Sequence, residues 1–134
     1  MTDSQTTSSS FNIIHKISIG LLFLMMAQPT FDNIKALMTG SMVMGDITVE
    51  VTVAKMSLHL IAMVVGWMGL WWFIQRKKLG AYTSIVAHAL GFTAVMTQTP
   101  EMLKELPPAA IAGFFVILFI VALGPVFKFK EEFA

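Results

Sequence analysis

The chain has 134 residues, of which 56% are hydrophobic and 13% charged, with a mean hydropathy of +0.75 and a net charge of +1. Soluble domains carry about 25% charged residues, so this is a membrane composition, and the near-neutral balance argues against a nucleic-acid partner. The absence of cysteine removes disulfides, iron–sulfur clusters and thiolate metal sites.

A spanning helix takes about 20 apolar residues, so the length predicts an all-α, polytopic four-transmembrane-helix bundle with no room for a separate soluble domain. Residues 1–10, MTDSQTTSSS, are polar and lack the basic start of a secretory signal, which predicts a disordered tail ahead of a membrane domain at 11–130. The first span is expected at about 11–28, with Lys16 extending its amine to the headgroups. Pro29 and TFDN end it. Phe31, Ile34, Leu37 and Met38 then recur at helical spacing, which predicts a short amphipathic helix at the membrane surface. ITVEVTV at 47–53 alternates with a period of two, and Gly45-Asp46 joins it to SMVM as a hairpin.

The second span, about 53–74, exits through Trp71 and Trp72 into Gln-Arg-Lys-Lys, an aromatic belt followed by charge. The third is expected at about 79–97 and the fourth at about 107–127, with Pro107 and Pro108 suited to a first helical turn; residues 131–134 read as a C-terminal tail. Lys16, Arg76, Lys77, Lys78, Lys128 and Lys130 fall on the side holding both termini, against Lys35, Lys55 and Lys104 on the other. That excess predicts both termini in the cytoplasm.

Three histidines are the only candidates for an axial ligand to haem or a pigment, or for a group titrating near neutrality. His15 falls near the termini side, His88 near the middle of span three and His59 near the far end of span two. Taking the hairpin between spans two and three as centred near Lys78, His59 and His88 differ in depth by nine residues, or roughly 13 Å at 1.5 Å per residue. One haem shared by both is therefore disfavoured. A single-histidine haem, pigment or quinone site at His88 or His59 is the sharper reading. The plainer one is a hydrogen-bonded residue between packed helices, because Gly80, Ser84, Ala87, Gly91 and Ala94 form a small-residue stripe beside His88, with Ala62, Gly66 and Gly69 as counterparts on span two. Phe114, Phe115 and Phe119 read as a lipid-facing aromatic surface on span four.

The 11 methionines raise thioether binding of copper(I), nearest in MTGSMVM, against their ordinary use as flexible apolar packing; the pattern specifies no metal site. The expected spans contain no Asp, Glu or Arg, which counts against a self-contained proton-coupled pump, and no catalytic constellation stands out. Three pieces carry a family resemblance: ISIGLLFLMMAQPTFDNIKAL, a first helix breaking into an amphipathic stretch; LHLIAMVVGWMGLWWF, a glycine-containing second helix; and the basic turn QRKKLGAY. Over about residues 17–127 the chain resembles the DoxX-like membrane proteins. The resemblance implies a four-helix fold, often placed beside redox or sulfur-oxidising membrane machinery, and transfers no site residue. The leading expectation is a non-catalytic accessory or assembly subunit, partnered by the lipid bilayer and by other membrane subunits or further copies of itself. A haem-, pigment- or quinone-binding redox subunit and a small-molecule binding or transport protein are the alternatives.

Overall fold

Residues 3–134 are described in a computed structural model; Met1 and Thr2, part of the expected tail, lie outside the described residues. The first helix, α1, runs Asp3–Thr39, so the backbone is already helical within the stretch expected to be a disordered tail. It also passes through Pro29 without stopping. Proline removes one helical N–H and crowds the carbonyl four residues back. Here the Thr30 hydroxyl donates to the Met26 carbonyl at 2.7 Å and accepts the Trp67 indole N–H at 2.9 Å. A side chain 37 residues away in sequence thus braces the turn that holds the proline.

The expected surface helix is the far end of α1, and its orientation follows from membrane physics. Phe31, Ile34 and Met38 face outward, whereas Asn33 and Ala36 are buried. Apolar residues lie comfortably against lipid, so the interior of such a bundle is distinguished by small and polar residues. Gly40 then takes a φ of +75° and starts a two-stranded hairpin, β1 (Ser41–Met44) and β2 (Ile47–Glu50). The register pairs Met44 with Ile47, leaving Gly45-Asp46 as the two-residue turn with Gly45 at φ +58°, a conformation glycine adopts without steric cost. The hairpin is not left alone: Val49 and Val51 pack with Ala36, Met56 and Met102 in a small core that caps one end of the bundle.

Helices α2 (Ser57–Ile74), α3 (Lys78–Gln98) and α4 (Pro108–Lys128) complete the bundle. Among the described residues four helices are long and apolar enough to cross a membrane, and the chain is a multi-pass helical membrane protein. α2 and α3 form a tight antiparallel pair. A Cβ added at Gly80 would overlap the Phe73 backbone nitrogen and lie 2.7 Å from the Gly69 carbonyl oxygen, and one added at Gly69 would lie 2.8 Å from the Ser84 nitrogen. Backbone meets backbone there, which is what small residues permit. At the other end of this pair the Gln98 side chain accepts the Leu58 N–H at 3.0 Å and donates to Ser57 Oγ at 2.9 Å. It thereby satisfies one of the free N–H groups at the start of α2.

The C-terminal residues also depart from a free tail. A short 3-10 turn, Lys130–Glu132, leads to Phe133, which is buried, and to Ala134, whose N–H donates to the Arg76 carbonyl at 2.8 Å while its carbonyl accepts the Lys78 N–H at 2.9 Å. Residues 131–134 are pinned to the turn between α2 and α3.

Candidate functional site

The three histidines occupy two different environments. His15 sits at the termini end, within an aromatic cluster. Its ring stacks on Phe11 at 5.1 Å, lies 5.1 Å from Phe73 and meets the edge of Phe133 at 5.6 Å. Its Nε2–H donates to the Phe73 carbonyl at 2.9 Å, one of the carbonyls that the last turn of α2 leaves without an i+4 partner. Phe11 and Phe73 are fully buried. His15 is a packed, satisfied structural residue.

His59 and His88 instead line one cavity of 460 Å³ at the capped end of the bundle. α1 contributes Met26, Asp32 and Asn33; the hairpin contributes Met42 and Met44. The opposite walls are His59, Ala62 and Met63 of α2, Ala87, His88, Gly91 and Phe92 of α3, and Ala110, Phe114 and Phe115 of α4. Space arises because the facing residues are small: a Cβ added at Gly91 would meet nothing nearer than the Ala62 methyl at 4.0 Å. Phe114 and Phe115 are thus cavity walls rather than purely lipid-facing residues, while Phe119 is 47% exposed on the outside.

The depth of the two histidines is fixed by the α2–α3 register. Gly69 faces Ser84, Gly66 faces Ala87 and Gly91 faces Ala62, pairs whose numbers all total 153. His59 and His88 total 147, so they are offset by six residues, about 9 Å of helix rise. The offset is smaller than the turn-centred sequence estimate. They sit at two depths of one cavity.

Their hydrogen bonds differ. His59 Nε2 is engaged with the fully buried Thr99 hydroxyl at 3.2 Å, which ties the start of α2 to the end of α3. His88 Nδ1 lies 2.7 Å from the Ser84 carbonyl of its own helix. A carbonyl can only accept, so Nδ1 carries the proton, and in the neutral ring Nε2 is left with a bare lone pair. That nitrogen is buried without a hydrogen-bond partner; among the described residues the other such side-chain atom is Ser84 Oγ in the α2–α3 seam. Leaving a buried acceptor unpaired costs about 1–3 kcal/mol. On the far wall Asn33 is 7% exposed and lines the same cavity.

The lining contains no Lys or Arg, and its one acid, Asp32, is exposed and hydrogen-bonded by Gln28 at 3.2 Å. Because α1 continues beyond Gln28, this acid belongs to a helix that the sequence reading ended before it. Four methionines, Met26, Met42, Met44 and Met63, border the same space. Among the described residues no three His, Asp or Glu side chains converge as a metal site. A single ion bound by thioethers would leave most of 460 Å³ unfilled, whereas that volume is in the ordinary range for organic ligands, about 300–1,000 Å³.

Asn33 was not singled out from sequence. Its signal was its position opposite Phe31, Ile34 and Met38, which is the inward side once those residues face lipid. The chain matches no family model, no curated protein and no solved structure.

Proposed function

We propose that the protein binds a small, largely apolar organic molecule within the bundle, between α1, α2, α3 and α4 and beneath the hairpin cap. The observation that carries this reading is the convergence of His59, His88 and Asn33, from three helices, on one cavity whose other polar lining residues, Gln28 and Asp32, pair with each other while the rest are apolar. A cavity with few polar groups among hydrophobic walls is the usual form of a ligand site, and a polar side chain inside a membrane bundle is retained where it serves one. In the orientation favoured by the Lys and Arg distribution, the site lies in the half of the bilayer away from the cytoplasm. The accessory-subunit role is compatible with a bound cofactor, but the cavity favours binding as the primary property.

The test is extraction of small molecules from protein purified out of its native membrane, followed by mass spectrometry. Gly91→Leu fills the cavity at a position where a Cβ has room, and Gly113→Leu adds the same side chain where nothing lies within 4 Å. The expected result is a molecule retained at near one per chain by the wild type and by Gly113→Leu and lost from Gly91→Leu. Equal recovery of bulk lipid alone from all three would return the protein to a structural role.

A further inference from the structure

Within this proposed binding site the chemistry of the unpaired groups narrows the ligand. In the neutral ring His88 Nε2 is an acceptor and not a donor, because Nδ1 spends the one proton on the Ser84 carbonyl. What it lacks is a hydrogen-bond donor. The lining offers no Lys or Arg to neutralise a carboxylate or phosphate, and burying an unpaired anion in such surroundings is prohibitive. Asp32, the one charged residue of the lining, is exposed and engaged by Gln28. That leaves the buried His88 nitrogen without a counter-charge for a cation as well, so the ligand is neutral at its polar end. A neutral donor compatible with an otherwise apolar molecule is a hydroxyl.

The wall beside His88 is aromatic. Phe114 lies 5.4 Å from the imidazole, Phe115 meets Phe114 edge-on at 5.7 Å, and Phe92 meets Phe115 edge-on at 6.2 Å. Rings in this arrangement accept a further ring by stacking or edge contact. Nε2 is itself buried, so a donor reaches it only when a neighbouring side chain shifts, and Phe114, 37% exposed and packed on the imidazole, is the ring beside it.

We infer that the site takes a neutral, lipid-soluble aromatic alcohol, with the ring against Phe114 and Phe115 and the hydroxyl donating to His88 Nε2. This rests on the cavity being a binding site, and the two ideas fail differently. Asn33 lines the same cavity from α1. No bond is made or broken, so the assignment concerns recognition and not reaction.

The experiment uses the full chain, labelled with nitrogen-15 at histidine, in lipid nanodiscs. It is titrated with 4-octylphenol and with the methyl ether of that phenol, each referenced to nanodiscs without protein. The ether keeps the ring and chain and loses only the donor. The phenol should bind about tenfold tighter, the worth of one hydrogen bond, and should shift the unprotonated Nε2 resonance of His88, identified by its loss in His88→Phe. The His15 resonance should stay in place and reports that the bundle remains folded. His88→Phe should bind phenol and ether alike.

Equal binding of the two probes with an unmoved His88 resonance would overturn the hydroxyl assignment and leave an apolar binding site standing. A shift at His59 instead of His88 would overturn it too. Failure of both probes to bind wild type above the protein-free reference would overturn both readings.

Discussion

The two ends of the bundle solve the same problem in opposite ways. At the termini end Phe11, His15, Phe73, Phe129 and Phe133 fill the space between helices, and the one polar ring among them is satisfied by a backbone carbonyl. At the capped end small residues and a hairpin border a partly open cavity instead, and His88 there keeps a nitrogen unpaired. Both ends draw on the α2–α3 pair, so the difference lies in what α1, α4 and the chain's last residues bring to it.

The comparison is most strongly tested by truncating an aromatic ring at each end. Phe73→Ala removes a fully buried ring and should lower unfolding free energy by about 3–5 kcal/mol, read from denaturant-induced unfolding in micelles. Phe115→Ala, at the cavity wall, enlarges a space that already exists and should cost less than half as much. Equal losses would erase the distinction between the ends. Next come the glycines. Gly80→Ala places a methyl against the Phe73 backbone and should destabilise by about 1–3 kcal/mol. Gly91→Ala has room and gains helix propensity, so it should be neutral or stabilising by up to about 1 kcal/mol. A loss at Gly91 as large as at Gly80 would show that the cavity closes on itself.

Much of this architecture was legible in local pattern. The apolar spans and the Gly45-Asp46 hairpin follow from runs and turns a few residues long, and hydropathy and turn chemistry operate at that range. What was not legible depends on distant partners. Pro29 stops a helix by local rules, but Thr30 and Trp67 hold α1 together through it. The last residues read as a tail because nothing near them says that Phe133 completes a cluster with Phe11, His15 and Phe73. At the site, His59 and His88 stood out as rare intramembrane polar residues. Their shared cavity did not, because it depends on an α2–α3 register centred between Arg76 and Lys77 rather than at Lys78 and on the approach of α1 and α4.

The finest distinction is between one histidine and another. His15→Phe preserves the aromatic packing and deletes the bond to the Phe73 carbonyl. That carbonyl keeps the Arg76 N–H at 3.0 Å, so the loss is the bond alone, about 1 kcal/mol. His88→Phe deletes a bond made within its own helix turn, to a carbonyl in the interior of α3, and at the same time removes a buried nitrogen that nothing pairs. The two effects oppose each other, and the net change in unfolding free energy should stay within about 0.5 kcal/mol of zero. Parallel unfolding curves of the two variants in the same detergent measure the contrast. A histidine kept for packing is costly to replace, whereas one kept for a ligand is nearly free to replace without it. A loss at His88 matching that at His15 would make both of them packing residues and remove the asymmetry on which the binding site is argued.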